Sequence, residues 1–192
     1  MGKKSLKESV AELFVDVWNV PNVLTMLRIL LIPVFVVLHA KGLSKWALVV
    51  FLLASFTDFL DGYLARKNNQ ITAFGKLMDP LADKVMVCTA LLCQAIGGAI
   101  PWVAFGVVLG KELLMVLGGV VMLRRGVVVY SNMWGKVAQC MFILALVMSF
   151  FHEEFLAWGV PLDSIVLWAS VALTLVAMLV YAVQAAKQLR HK

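Results

Sequence analysis

The sequence predicts an all-α integral membrane protein: six transmembrane helices preceded by an amphipathic helix lying at the membrane interface. Three observations lead there. Of 192 residues, 62% are hydrophobic and 15% charged, against about half and a quarter in soluble domains, so polar side chains are too few to cover a water-facing surface. Six apolar runs approach the roughly 20 residues that a spanning helix needs. The basic residues gather on one side of the resulting topology, as they do in cytoplasmic loops. The same composition excludes disorder.

Residues 1–20 form the first element and a small region of their own. Ser5 and Glu8 have capping-box spacing. Leu6, Val10, Leu13 and Val17 recur at helical spacing, with Lys4, Glu8, Glu12 and Asp16 on another face. That pattern fits a cytoplasmic juxtamembrane helix on a lipid surface or a polar-faced helix packed on protein. It lacks the continuous apolar core of a cleavable signal peptide. Val20-Pro21 ends it.

Residues 21–192 are expected to form a six-helix transmembrane domain, with spans at 22–40, 46–66, 80–99, 101–123, 133–151 and 161–186. Gly97-Gly98 before Pro101 marks a tight turn. Trp46, Trp102, Trp134 and Trp158 sit near span ends, where interfacial aromatics belong. Glu153 and Glu154 fall in an outer loop. Six spans put both termini on one side, and 14 of the 17 basic residues share it, Lys41, Lys45 and Lys111 being the exceptions. Termini and active site are thus expected at the cytoplasmic face of the cell inner membrane. The basic excess is distributed as topology requires, with no polar domain to receive a nucleic acid. Cys88, Cys93 and Cys140 lie in apolar runs without CxxC spacing and read as small buried hydrophobes.

Four carboxylates stand out. Asp58 and Asp61 lie three residues apart at the inner end of the second span, and Asp79 and Asp83 four apart at the inner start of the third. Each pair occupies one helix face, and a short loop lets the faces meet. A carboxylate deep in a bilayer costs about 2.5–3.5 kcal/mol, or roughly 10–14 for four. Pairing with Arg66, Lys67, Lys76 and Lys84 at the water boundary would relieve part of this. Protonation or bound cations would relieve it too. Oxygen ligands without His or Cys suit Mg²⁺ or Mn²⁺, and two such ions per site are the arrangement phosphoryl transfer uses. Gly62 and Ala65 leave room for a ligand beside the helix, Gly75 does so across the loop, and Arg66 is placed for a diphosphate.

The full spacing, D-x2-D-G-x2-A-R-x8-G-x3-D-x3-D from Asp58 to Asp83, fixes eight positions. It closely resembles the signature of the CDP-alcohol phosphatidyltransferases, which also have six spans and a cytoplasmic amphipathic helix. The resemblance implies displacement of CMP from a CDP-alcohol by a second alcohol, with a divalent metal pair. It implies that Asp58, Asp61 and Asp79 are metal ligands and that Asp83 is the general base, also touching metal. It further implies that Asp58, Asp61, Gly62, Ala65, Arg66, Gly75 and Asp79 hold the nucleotide, and that the enzyme is a homodimer. Within the family, the runs 21–28 and 77–84 are similar to the branch that joins CDP-diacylglycerol to glycerol 3-phosphate; the cardiolipin-forming branch, whose acceptor is phosphatidylglycerol, shares the second run. Many members of the first branch carry Arg-Glu where this chain has Lys111-Glu112.

A dianionic acceptor needs basic groups. Arg28 and Lys136 lead, followed by Lys111, Arg124 and Arg125. Snorkelling to lipid headgroups is the competing role for Arg28 and Lys136, and topology alone accounts for Arg124 and Arg125. His39, His152 and His191 lie away from the acids. No hydroxyl or thiol nucleophile stands beside a base in the motif, so direct displacement is expected rather than a covalent intermediate. From a different class, a cation or proton transporter would spread its acids along a path through the bilayer; here they cluster on one side.

Overall fold

The computed structural model describes residues 19–67, 72–124 and 133–190, all helices and their connections. The amphipathic helix expected over residues 1–20 lies outside these but for its last two positions. Internal contacts divide the chain into two compact units, Met1–Cys93 and Gln94–Lys192.

The first unit opens with α1 (Val20–Ala40). It starts ahead of the predicted position 22 because the Asn19 side chain accepts the Asn22 N–H at 2.9 Å and Pro21 occupies the first turn, a cap followed by a residue with no amide to satisfy. The helix ends at Gly42, whose φ of 71° lets its N–H reach His39 O and that of Leu43 reach Leu38 O. This left-handed cap satisfies two terminal carbonyls. α2 (Ser44–Lys67) then returns alongside α1. Ala47, Phe51 and Ala54 are fully buried at helical spacing, and Phe51 meets Phe35 of α1 with ring centroids 6.3 Å apart.

α3 spans Ala73–Ile96. The sequence predicts this span to open at residue 80, yet Pro80 stands inside the helix. Thr72 explains the earlier start: its hydroxyl accepts the Gly75 N–H at 3.0 Å, the N-cap geometry. Pro80 then sacrifices one backbone bond, which helices in apolar surroundings tolerate. Gly98, with φ of 85°, closes α3 by the same left-handed cap as Gly42, at the turn expected there.

The second unit holds α4 (Trp102–Arg124), α5 (Met133–Ser149), α6 (His152–Ala157) and α7 (Leu162–Arg190). α5 lies along α7. Ala138, Phe142, Ala145 and Ser149 of α5 are buried at alternating spacings of four and three, and so are Leu167, Val171 and Thr174 of α7. The fifth span is shorter than predicted, because α6 forms where a loop is expected. Glu153 and Glu154 stand in its first turn, where carboxylates favour a helix. His152 Nδ1 lies 2.6 Å from Asp163 Oδ2, and Asp163 is buried in the first turn of α7. Asp163→Ala is expected to lower stability by about 1.5–3 kcal/mol, read as the thermal midpoint in detergent; an unchanged midpoint would show that the pair fastens nothing.

Among the described residues three helices, α1, α4 over Trp102–Gly119 and α7 over Leu162–Gln188, are long and apolar enough to cross a membrane, and α5 is a shorter apolar helix. Large apolar side chains point outward, Leu30, Leu117 and Leu179 being more than three-fifths exposed. Trp46, Trp102, Trp134 and Trp158 are exposed as well. An apolar exterior is what lipid admits, since it offers no partner for polar groups. It also accommodates Cys140, which is exposed on α5 rather than buried as expected; Cys93 is buried and Cys88 half-buried.

Candidate active site

α1 carries Asn22, Thr25 and Arg28 at every third position, and all three are at most 1% exposed. Residues three apart lie near one another on a helix surface, so an otherwise apolar helix presents a narrow polar edge. Each of the three engages another segment of the first unit. Asn22 Oδ1 accepts from the Thr72 hydroxyl at 3.1 Å. Thr25 Oγ1 donates to Asp79 Oδ1 at 2.5 Å. Arg28 Nη1 lies 2.8 Å from Asp58 Oδ1. One helix edge thus holds two acids contributed by two other helices, and Asp79 is near enough for its charge to act on Asp58.

Gly75 sits inside this arrangement. A Cβ there would lie 2.9 Å from Asn22 Oδ1, 3.2 Å from Thr72 Oγ1 and 3.4 Å from Asp79 Oδ2. Only a hydrogen at this position lets α3 approach the polar edge so closely. Asp83, four residues after Asp79, shares its helix face and is half-buried.

The donor set is carboxylate oxygen, which suits a hard divalent cation. Asp58 and Asp79 each have one oxygen anchored to α1, which leaves the other available as a ligand. Among the described residues no group of three or more His, Cys, Asp or Glu side chains is placed to hold a metal ion; the side chain of Asp61 lies outside those described.

Residues 18–176 match the family model for CDP-alcohol phosphatidyltransferase. The chain belongs to that family. Its relatives include a Bacillus subtilis protein, 33% identical over 178 residues covering 83% of this chain and 91% of that one. An Aquifex aeolicus protein is 38% identical over 122 residues, 62% of this chain and 67% of that one. A Pseudomonas fluorescens protein is 43% identical over 103 residues, 50% of this chain and 52% of that one. All three are named CDP-diacylglycerol--glycerol-3-phosphate 3-phosphatidyltransferase. Family membership sets the transporter alternative aside.

In this phosphatidyltransferase, α2 carries Asp61, Gly62, Ala65 and Arg66 on the turns after Asp58, and their side chains lie outside those described. Of the basic residues expected at the acceptor, Arg28 is buried against Asp58 and so does not snorkel to headgroups. Lys111 pairs with its neighbour Glu112 within α4. Lys136 is exposed on α5. The Arg124 side chain and the whole of Arg125 lie outside the described residues. Sequence reasoning passed over Thr25, which holds Asp79, and the Asn22–Thr72 pair that ties the start of α3 to α1. The available signal was three polar residues at intervals of three in an apolar span.

Proposed function

We propose that this chain transfers the phosphatidyl group of CDP-diacylglycerol to glycerol 3-phosphate, releasing CMP and forming phosphatidylglycerophosphate. The carrying observation is that Asp58 and Asp79, the first acids of the two motif halves, are bound to successive turns of α1. Relatives matched over most of this chain's length bear the name of that reaction.

The family generally depends on a divalent metal. Asp58, Asp61, Asp79 and Asp83 would hold two Mg²⁺ or Mn²⁺ ions, which when bound neutralise the diphosphate and polarise it toward attack. Asp58, Asp61, Gly62, Ala65, Arg66, Gly75 and Asp79 form the nucleotide side, where Arg66 supplies charge-assisted hydrogen bonds. Asp83 takes the proton from the acceptor hydroxyl. The oxygen so activated bonds to the phosphorus that bears diacylglycerol, and the bond from that phosphorus to the CMP oxygen breaks. Lys111, Lys136, Arg124 and Arg125 are the cations available to the acceptor phosphate; Arg28 serves the acids. Six spans and an interfacial N-terminal helix, with the site and both termini cytoplasmic at the inner membrane and a homodimeric assembly, complete the reading.

Purified protein given CDP-diacylglycerol and labelled glycerol 3-phosphate should release CMP and label the lipid. Chelating divalent ions should stop the reaction, and Mg²⁺ or Mn²⁺ should restore it. CMP released only with phosphatidylglycerol would move the acceptor to the cardiolipin branch. Full activity in chelator would remove the metal reading.

A further inference from the structure

A guanidinium is costly to bury in an apolar helix, so its presence at position 28 calls for a partner that needs it. The Arg28 side chain is 1% exposed, while the Asp58 side chain it meets is 35% exposed. The cation therefore stands behind the carboxylate, on the protein side, and the acid faces outward to where a ligand can come. One turn earlier Thr25 holds Asp79, whose charge acts on Asp58. Acids gathered this way repel one another when no divalent ion is present, and one fixed positive charge behind them offsets that repulsion. Once divalent ions neutralise the acids from the front, the same positive charge opposes them.

We infer that Arg28 is a resident counter-charge to Asp58 that stabilises the metal-free enzyme more than the metal-loaded one, a role that presupposes the metal-binding reading of the four acids. By a thermodynamic cycle, a substitution that destabilises the metal-free state more than the loaded state must tighten metal binding. A residue that merely packs the helices would lower both states equally. A residue that aims Asp58 at the metal would weaken binding when lost.

The test measures thermal midpoints in detergent and Mn²⁺ binding by electron paramagnetic resonance, on wild type and Arg28→Gln. The metal-free midpoint of Arg28→Gln should fall by roughly 5–10 °C, with most of the loss recovered at saturating Mn²⁺. Mn²⁺ should bind about tenfold more tightly than to wild type. Arg28→Lys, which keeps the charge, should stay near wild type in both readouts. Should Arg28→Gln fail to fold without metal, Arg28→Gln combined with Asp58→Asn should fold, because both members of the pair are gone. Equal losses with and without Mn²⁺, weaker Mn²⁺ binding, or a double variant no more stable than the single one would overturn the inference. Absence of Mn²⁺ binding to wild type would instead bring down the metal-binding reading itself.

Discussion

Asp83→Asn should retain Mn²⁺ and nucleotide binding and lose turnover by about 10²–10⁴-fold, the contribution of a positioned general base. The substitution is close to isosteric and keeps an oxygen donor for metal, but the amide cannot take the acceptor's proton. Asp83 is half-buried on the middle of α3, so a neutral side chain of the same shape leaves the helix intact. The measurement is CMP release in single turnover, set beside Mn²⁺ binding on the same preparation. The contrasting variant is Asp61→Asn, expected to lose metal along with activity. Wild-type turnover in Asp83→Asn would reassign the base.

Gly75→Ala is expected to lower CMP release by about 10²-fold, the scale of a misplacement near 1 Å in a catalytic constellation. The added carbon would fall 2.9 Å from Asn22 Oδ1, closer than van der Waals contact allows. Asn22 has little room to yield, being 1% exposed and bonded to Thr72. Relief must come from α3 moving off the polar edge of α1, which carries Asp79 with it. Alanine is a better helix former than glycine, so the helix itself is not at risk and the loss should fall on activity and metal affinity. Undiminished activity and metal affinity would mean that α3 does not need this closeness.

The all-helical, membrane-crossing character was legible for a simple reason: partition of apolar runs into lipid depends on local composition, which any window of the sequence reports. The left-handed turn at Gly98 was legible on the same local terms. Pro80 misled, because a proline reads as a helix start unless the Thr72 cap ahead of it is weighed. The helix at His152–Ala157 was missed because six residues carry too little pattern to stand out beside a span end. At the site, the motif spacing singled out the acids, but nothing in it named what holds them. Arg28 was weighed for the acceptor phosphate or for lipid headgroups, and its contact with Asp58 was not legible, since a lone cation in a span does not disclose its partner.

Chain order alone thus determined an all-helical, lipid-facing protein with four acids on two helix faces, because helical period and hydrophobicity act between near neighbours. Tertiary structure decided that Thr25 grips Asp79 across 54 positions, that Arg28 stands behind Asp58, and that Gly75 must be bare. Those pairings arise only when distant segments are brought to hydrogen-bonding range, which no local stretch of sequence reports.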